Sequence, residues 1–111
     1  MSVLNENKVI SLIQLKNKPL EWEQKEIIYS NDKEPTGKEL REMVGGWLEM
    51  VNVIYEGRQC QAIINEEGKL NNLPVNYEAT SMYHSYLHEN GYHVDDVIVG
   101  NIAIMTNFEL E

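Results

Sequence analysis

The sequence is poor in cysteine and has no long apolar run. The single thiol, Cys60, excludes an internal disulfide framework and a cysteine-based zinc finger. No segment approaches the roughly 18 consecutive apolar residues that a membrane span needs, so we expect no membrane contact. The first residues carry neither a basic region nor an apolar stretch, and we expect no secretory signal. A reducing, cytoplasmic compartment is the expected location.

Basic residues are also scarce, with 9 Lys and Arg against 18 Asp and Glu and a net charge of -9. Seven of the bases lie within residues 1–42, and only Arg58 and Lys69 follow them. Residues 43–111 therefore carry ten acids and two bases, a net charge of -8. Such a surface repels phosphate backbones, so we expect no direct nucleic-acid binding. It favours basic partners instead, although acidity also keeps a small protein in solution.

The motifs of common enzyme classes are missing as well. The sequence contains no P-loop, no GxGxxG and no serine in an elbow motif, so we expect neither an enzyme nor a bound cofactor. His84 and His88 are one helical turn apart, but they fall on a polar face without the glutamate of HExxH, and we expect no metal there. Cys60 lies in a predicted strand, which favours a buried structural thiol over a nucleophile.

A length of 111 residues indicates one domain, 1–111, with an N-terminal strand region and loop over 1–35 and a core over 36–106. The pattern predicts a strand at 9–15, a weak strand at 20–29 and a helix at 37–44. Thr36 and Glu39 form a capping box at the start of this helix, and Gly45-Gly46 ends it.

The second half predicts a hairpin from strands 47–55 and 58–65, then a helix over 77–90 capped by Asn76. A last strand over 97–105 is expected, kinked or bulged at Gly100-Asn101. This order indicates an α+β fold, a mostly antiparallel sheet of four to five strands with two helices grouped on one face.

The predicted hairpin register gives Glu49 an unusual position. With Glu56-Gly57 as the turn, Tyr55 lies opposite Arg58 and Glu49 lies opposite Ile64. One face then carries mostly apolar side chains and is the better candidate for the core: Trp47, Glu49, Val51, Val53, Tyr55, Cys60, Ala62 and Ile64. A carboxylate there must be neutralised, paired or open onto a pocket. We expect Glu49 near Asn76 or Thr80, either bonding backbone N–H groups or accepting from a ligand.

Asparagines are frequent between the predicted elements. Together with Trp47 and the tyrosines they could line a pocket for a planar polar ligand: Asn65, Asn71, Asn72, Asn76 and Asn101. Turn and cap chemistry explains Asn65 and Asn76 without any ligand, and for each asparagine taken singly it is the favoured explanation.

Four segments in the same order resemble one known family. They are VGGWLE at 44–49, NEEGKL at 65–70, LPVN at 73–76 followed by Ala79-Thr80, and DVIVGN at 96–101. Together they resemble the family catalogued as domain of unknown function 3846, which is spread among phages and plasmids, and the resemblance covers about residues 36–106. It implies a small phage-type accessory protein, located in the host cytoplasm when phage-encoded, that acts against host defences.

Two functions of different classes follow as expectations. The first is a non-catalytic protein, also expected to form a homo-oligomer, that binds and sequesters a nucleotide-derived signal molecule. Its phosphate would need the start of the second helix after Asn76, or Lys69, Arg58 and Arg41. The alternative is an acidic inhibitor, a DNA mimic that binds a basic site on a host defence nuclease. The predicted ligand-binding residues are Trp47, Glu49, Asn65, Lys69, Asn76, Thr80 and Asn101.

Overall fold

The computed structural model describes residues 8–17, 21–30, 33–93 and 95–108. Its elements are five strands and two helices, in the order predicted: β1 (Lys8–Asn17), β2 (Glu21–Tyr29), α1 (Gly37–Val44), β3 (Leu48–Tyr55), β4 (Arg58–Asn65), α2 (Tyr77–Glu89) and β5 (Ile102–Thr106). The predicted α+β class is confirmed. No helix within the described ranges is long and apolar enough to cross a membrane.

All five strands belong to one antiparallel sheet with the order β2-β1-β5-β4-β3. The β3–β4 hairpin has the predicted register, because Tyr55 pairs with Arg58 and Glu49 pairs with Ile64. Glu56 and Gly57 both have positive φ, at 50° and 79°, which matches the twist that a two-residue hairpin needs. The last strand of the chain, β5, lies in the middle of the sheet and joins the two hairpins.

The two helices cover opposite faces of the sheet. Ala79, Met82 and Tyr83 of α2 pack in one apolar cluster with alternate strand residues such as Val53 and Ile104. On the other side, α1 contributes its own apolar stripe to a second cluster: Leu40, Met43 and Val44 with Ile10, Leu12, Ile63, Ala103 and Met105. The expectation that the helices share one face is therefore wrong. The central strands are apolar on both sides, so a single layer of helices would leave one face uncovered.

Both helices begin with the N-terminal caps that the sequence predicts. The Thr36 hydroxyl accepts from the Glu39 N–H at 3.0 Å, and the Glu39 carboxylate accepts from the Thr36 N–H at 2.9 Å. This completes the predicted capping box. Asn76 caps α2 through the Ala79 N–H at 3.0 Å.

The last strand is shorter than predicted. It begins at Ile102, and the preceding segment instead makes a single bridge between Val75 and Val99. Gly100 has a φ of 77°, and a Cβ there would stand 2.8 Å from the Leu73 side chain. The chain therefore turns sharply at Gly100, so residues 97–99 cannot continue the strand.

The predicted core face of the hairpin is correct in its middle and wrong at its end. Val53 and Ala62 are fully buried, and Cys60 is half-buried instead of buried. Glu49 is exposed, and Trp47 precedes β3 with 64% of its surface accessible. Because β3 is the edge strand, a side chain near its end has no further strand beside it.

Candidate functional site

The turn between α1 and β3 carries an exposed aromatic ring beside two bases. Gly45 ends α1 with a φ of 84°, and both glycine N–H groups bond to the Arg41 carbonyl, at 2.7 and 3.1 Å. This tight turn brings Trp47 back alongside the helix. The Arg41 guanidinium lies 5.3 Å from the centroid of the Trp47 ring, which is cation–π distance.

The ring, the helix and the turn form an open depression of about 450 Å³, here called the tryptophan depression. Its lining is Lys38, Arg41, Glu42, Gly45, Gly46 and Trp47. Ligand sites typically occupy roughly 300 to 1,000 Å³, so the volume falls within this range. An aromatic face next to two cations is suited to a planar anion.

A second depression adjoins the first at Gly45 and is here called the asparagine groove. It measures about 290 Å³ and is lined by Leu15, Val44, Gly45, Asn65, Asn71, Leu73, Pro74, Gly100 and Asn101. Two of the predicted ligand residues, Asn65 and Asn101, thus lie next to the tryptophan depression that Trp47 lines. Folding brings these three predicted residues into two depressions that share Gly45 in their lining.

The asparagines also hold the backbone together. Asn65 is buried, and its Oδ1 accepts from the Glu67 N–H at 2.9 Å. The amide of Asn101 joins β1 to α1, since Oδ1 accepts from the Leu15 N–H and Nδ2 donates to the Met43 carbonyl, both at 2.9 Å. These bonds fix where the groove walls stand. Any ligand would therefore meet side chains that are already oriented.

Asn76 and Thr80 bind the protein's own backbone. Asn76 is 2% exposed and donates from Nδ2 to the Gly100 carbonyl at 3.0 Å, while its Oδ1 caps α2. The Thr80 hydroxyl accepts from the Ile98 N–H at 2.9 Å. The sequence explains Asn76 as a helix cap without any ligand. In the structure both polar atoms of the Asn76 side chain bond to backbone groups of the protein itself. The Asn76 side chain thus takes up one N–H group at the start of α2, that of Ala79.

Glu49, Asn65 and Lys69 line a smaller cleft of about 150 Å³, so Asn65 borders both this cleft and the asparagine groove. Val51, Ile64 and Ile98 give it apolar walls, and Tyr83 and Asp96 complete the rim. Lys69 and Asp96 form an ion pair across it. Glu49 therefore opens onto a pocket, one of the three outcomes expected for it. Among the described residues that line this cleft, neither Asn76 nor Thr80 appears, so the expected grouping of Glu49 with them is not seen there.

Asp96 is the one carboxyl whose titration is clearly shifted among the described groups. The hydrogen bond from Lys69 lowers the pKa of Asp96 below its usual value of 3.8, against partial burial, which raises it. The Val97 N–H, at 3.0 Å from the carboxylate, lowers this pKa further.

The groups that can ligate metals or react as nucleophiles are dispersed. His84 contacts the Asp96 carbonyl, and the rings of His88 and His93 lie 5.4 Å apart. The described part of the chain contains no cluster of three or more potential metal ligands. Burial raises the pKa of the Cys60 thiol, while Arg58 opposes this shift, so the reactive thiolate is disfavoured.

The predicted ligand-binding residues include neither Arg41, which was expected only as one possible phosphate contact, nor Lys38. The available signal was their spacing of three residues on one helix face, followed directly by the Gly45-Gly46 stop and an aromatic residue. What the pattern did not show is how far the turn brings Trp47 back toward Arg41.

Comparison with known families identifies the chain. The family model described as domain of unknown function (DUF3846) matches residues 12–109. The chain belongs to the DUF3846 family. The match begins within β1, ahead of residue 36, so residues 12–17 of β1 and all of β2 lie within the matched region as well. No curated protein and no solved structure gives a significant match.

Proposed function

We propose that this DUF3846 protein binds and sequesters a nucleotide-derived signal molecule, without catalysis, in the tryptophan depression and the adjoining asparagine groove. In a phage-type setting, this removal of a signal would act against host defence. The observation that carries the proposal is the exposed Trp47 ring with the Arg41 guanidinium 5.3 Å from its centroid.

The tryptophan depression differs in its chemistry from the rest of the described surface. A base or other planar group can stack on Trp47, while Arg41 and Lys38 supply positive charge for a phosphate. These two bases stand out in a chain with twice as many acids as bases. The neighbouring amides of Asn71 and Asn101 offer neutral groups for hydroxyl or base recognition.

Size also favours this location over the Glu49 cleft. At about 150 Å³ that cleft is below the roughly 300 Å³ at which ligand sites begin. Its lining also holds three acids, Glu49, Glu66 and Asp96, against one base, Lys69, and this negative charge disfavours an anion. Glu49 and Lys69, both predicted ligand residues, are therefore not part of the proposed site.

The test is a thermal-shift and calorimetric screen of the purified chain against nucleoside monophosphates and cyclic dinucleotides. A ligand at a hundred times its dissociation constant adds roughly 2.7 kcal/mol, which a melting curve resolves. Trp47→Ala should abolish the shift in melting temperature. Arg41→Gln should raise the dissociation constant of the ligand at least tenfold. Trp47 is exposed and Arg41 is only half-buried, so the melting temperature without ligand should hold.

Arg58→Gln is the matched control, because Arg58 is an exposed arginine remote in sequence from the tryptophan depression. It should bind as the unchanged chain does. Loss of binding in Glu49→Gln with retention in Trp47→Ala would move the site to the Glu49 cleft and refute the proposal.

A second candidate is the acidic inhibitor that mimics DNA. It is favoured by the exposure of every described acid after residue 42: Glu49, Glu56, Glu66, Glu67, Glu78, Glu89, Asp95 and Asp96. This candidate requires no pocket. It predicts no nucleotide shift, unchanged activity in Trp47→Ala, and strongly salt-dependent binding to a basic nuclease.

A further inference from the structure

The outer edge of β3 is an unprotected sheet edge. β3 is the last strand in the sheet order, and within the described residues no other strand pairs with its outer side. Its pairing with β4 is continuous over eight residues without a bulge. Natural proteins usually block such an edge with charge, proline or a bulge, because it otherwise pairs with another chain.

The opposite edge of the same sheet shows the usual protection. β2 carries charged residues at four of its nine positions, and its pairing with β1 contains a register shift. β3 has one charge, Glu49, no proline and no register shift. The two edges of this sheet are therefore not equivalent, and the β3 edge is the less protected of the two.

The hairpin geometry shows which groups point outward from β3. In a two-residue turn the carbonyl of Tyr55 faces the N–H of Arg58, and alternate residues of β3 share that direction. The Trp47 carbonyl points toward the β4 side of the hairpin, as this alternation requires, since it accepts from the Glu66 N–H at 2.8 Å. The backbone groups that point away from the sheet are those of Leu48, Met50, Asn52 and Ile54.

We propose that β3 pairs antiparallel with β3 of a second copy of this chain, about a two-fold axis at Val51, to give a continuous ten-stranded sheet. This register places Leu48 opposite Ile54 and Met50 opposite Asn52, so all four outward-facing residues find partners. It is the one register of the eight-residue strand that leaves none of them unpaired. The outward-facing backbone groups of the two β3 strands face each other only when the two-fold axis is perpendicular to the sheet. The α2 helices of the two copies then lie on the same face of the continuous sheet.

The charge of the strand favours a second copy in this orientation. Antiparallel pairing places Glu49 opposite Val53 of the other copy, and the two carboxylates stand four residues apart along the strands. At roughly 3.3 Å per residue this is about 13 Å, beyond the Debye length of roughly 8 Å at physiological salt. Parallel pairing would bring the two carboxylates together.

The experiment compares the full chain with two variants of one exposed residue by light scattering on a sizing column over a dilution series. The unchanged chain should show twice the mass of one copy and dissociate on dilution. Asn52→Pro removes an N–H group that points away from the sheet, and it leaves every hydrogen bond between β3 and β4 in place. This variant should be monomeric at every concentration. Asn52→Thr keeps the N–H and should remain dimeric. Circular dichroism should show the same fold in all three.

Amide hydrogen exchange gives a readout that does not depend on a variant folding. In the unchanged chain the N–H groups of Met50, Asn52 and Ile54 should be protected, and this protection should fall on dilution. A monomer at all concentrations, fast exchange of these amides, or a dimer that Asn52→Pro leaves intact would each overturn the proposal.

Discussion

At the scale of single residues, Gly46 of the α1–β3 turn is required by what packs against it. A Cβ on Gly46 would lie 2.9 Å from both Nδ2 and Oδ1 of Asn65. Asn65 cannot move freely, because it is buried and its Oδ1 holds the Glu67 N–H. The close approach of backbone to amide therefore fixes the relative position of the turn and the end of β4.

Gly46→Ala should accordingly destabilise the fold by about 1 to 3 kcal/mol, the usual cost of overpacking. Urea unfolding followed by circular dichroism measures this change. Gly37→Ala is the matched control. Its Cβ would meet only the mobile end of Arg41, at 3.3 Å, and it should alter stability by less than about 0.5 kcal/mol. Equal effects of the two substitutions would contradict the argument.

The Asp96 carboxyl gives a pH-dependent prediction at the same scale. Its pKa is lowered in the folded chain by the hydrogen bond from Lys69. Asp96 therefore contributes stability that is fully present above its unfolded pKa near 3.8 and is lost as pH falls through the lower folded value.

Lys69→Met removes the donor and should raise the pKa of Asp96 toward its usual value. A carboxyl-carbon titration by NMR reads this pKa directly. Since both side chains are about half exposed, at 55% and 46%, the melting temperature at neutral pH should hardly change. An unchanged Asp96 pKa in the variant would show that the Lys69 contact is absent in solution.

At the scale of elements, α2 is tied to the segment that enters β5. The Asn76 side chain caps the helix and also bonds the Gly100 carbonyl, and the Thr80 hydroxyl bonds the Ile98 backbone one turn later. One asparagine thus serves two elements. The shape of the 97–101 segment depends on the start of the helix.

Asn76→Ala should cost about 1 to 3 kcal/mol, since it removes a helix cap and leaves a buried carbonyl without its partner. Thermal unfolding measures this loss. Asn90→Ala is the control at the other end of the helix, because Asn90 is exposed and bonds only the Tyr86 carbonyl through its side chain. A loss no larger than that of Asn90→Ala would show that the Asn76 contacts contribute little.

At the scale of the whole molecule, the sheet is held by two separate apolar clusters, one under each helix. β5 contributes to both, with Ile102 and Ile104 on one side and Ala103 and Met105 on the other, all buried. Stability therefore rests on apolar packing around the middle strand of the sheet.

From this we predict that divalent metals do not contribute to stability. A chelator should leave the melting temperature unchanged, because the imidazoles of His84, His88 and His93 are placed at the surface of α2 and the following turn. A fall of many degrees on chelation, reversed by added zinc, would contradict the prediction. His84→Ala, tested with and without chelator, would then show whether this histidine is a ligand.

Local patterns determined most of the elements in this chain. The capping box at Thr36, the Asn76 cap and the Glu56-Gly57 turn each depend on residues within four positions of one another, and each is present as predicted. Their geometry follows from short-range hydrogen bonding and backbone sterics, so a single sequence is enough to find them. The two-residue length of the Glu56-Gly57 turn likewise set the register of β3 and β4.

What only the tertiary structure decided is the position of each element relative to the others. β5 inserts between β1 and β4, so the central strands need cover on both faces and the helices divide between them. β3 becomes an edge, which is why Glu49 is exposed despite its apolar neighbours. The Gly45-Gly46 turn sets Trp47 beside Arg41, and Asn101 joins β1 to α1. These contacts connect residues far apart in sequence, and their formation depends on burial across the whole sheet, which no local pattern records.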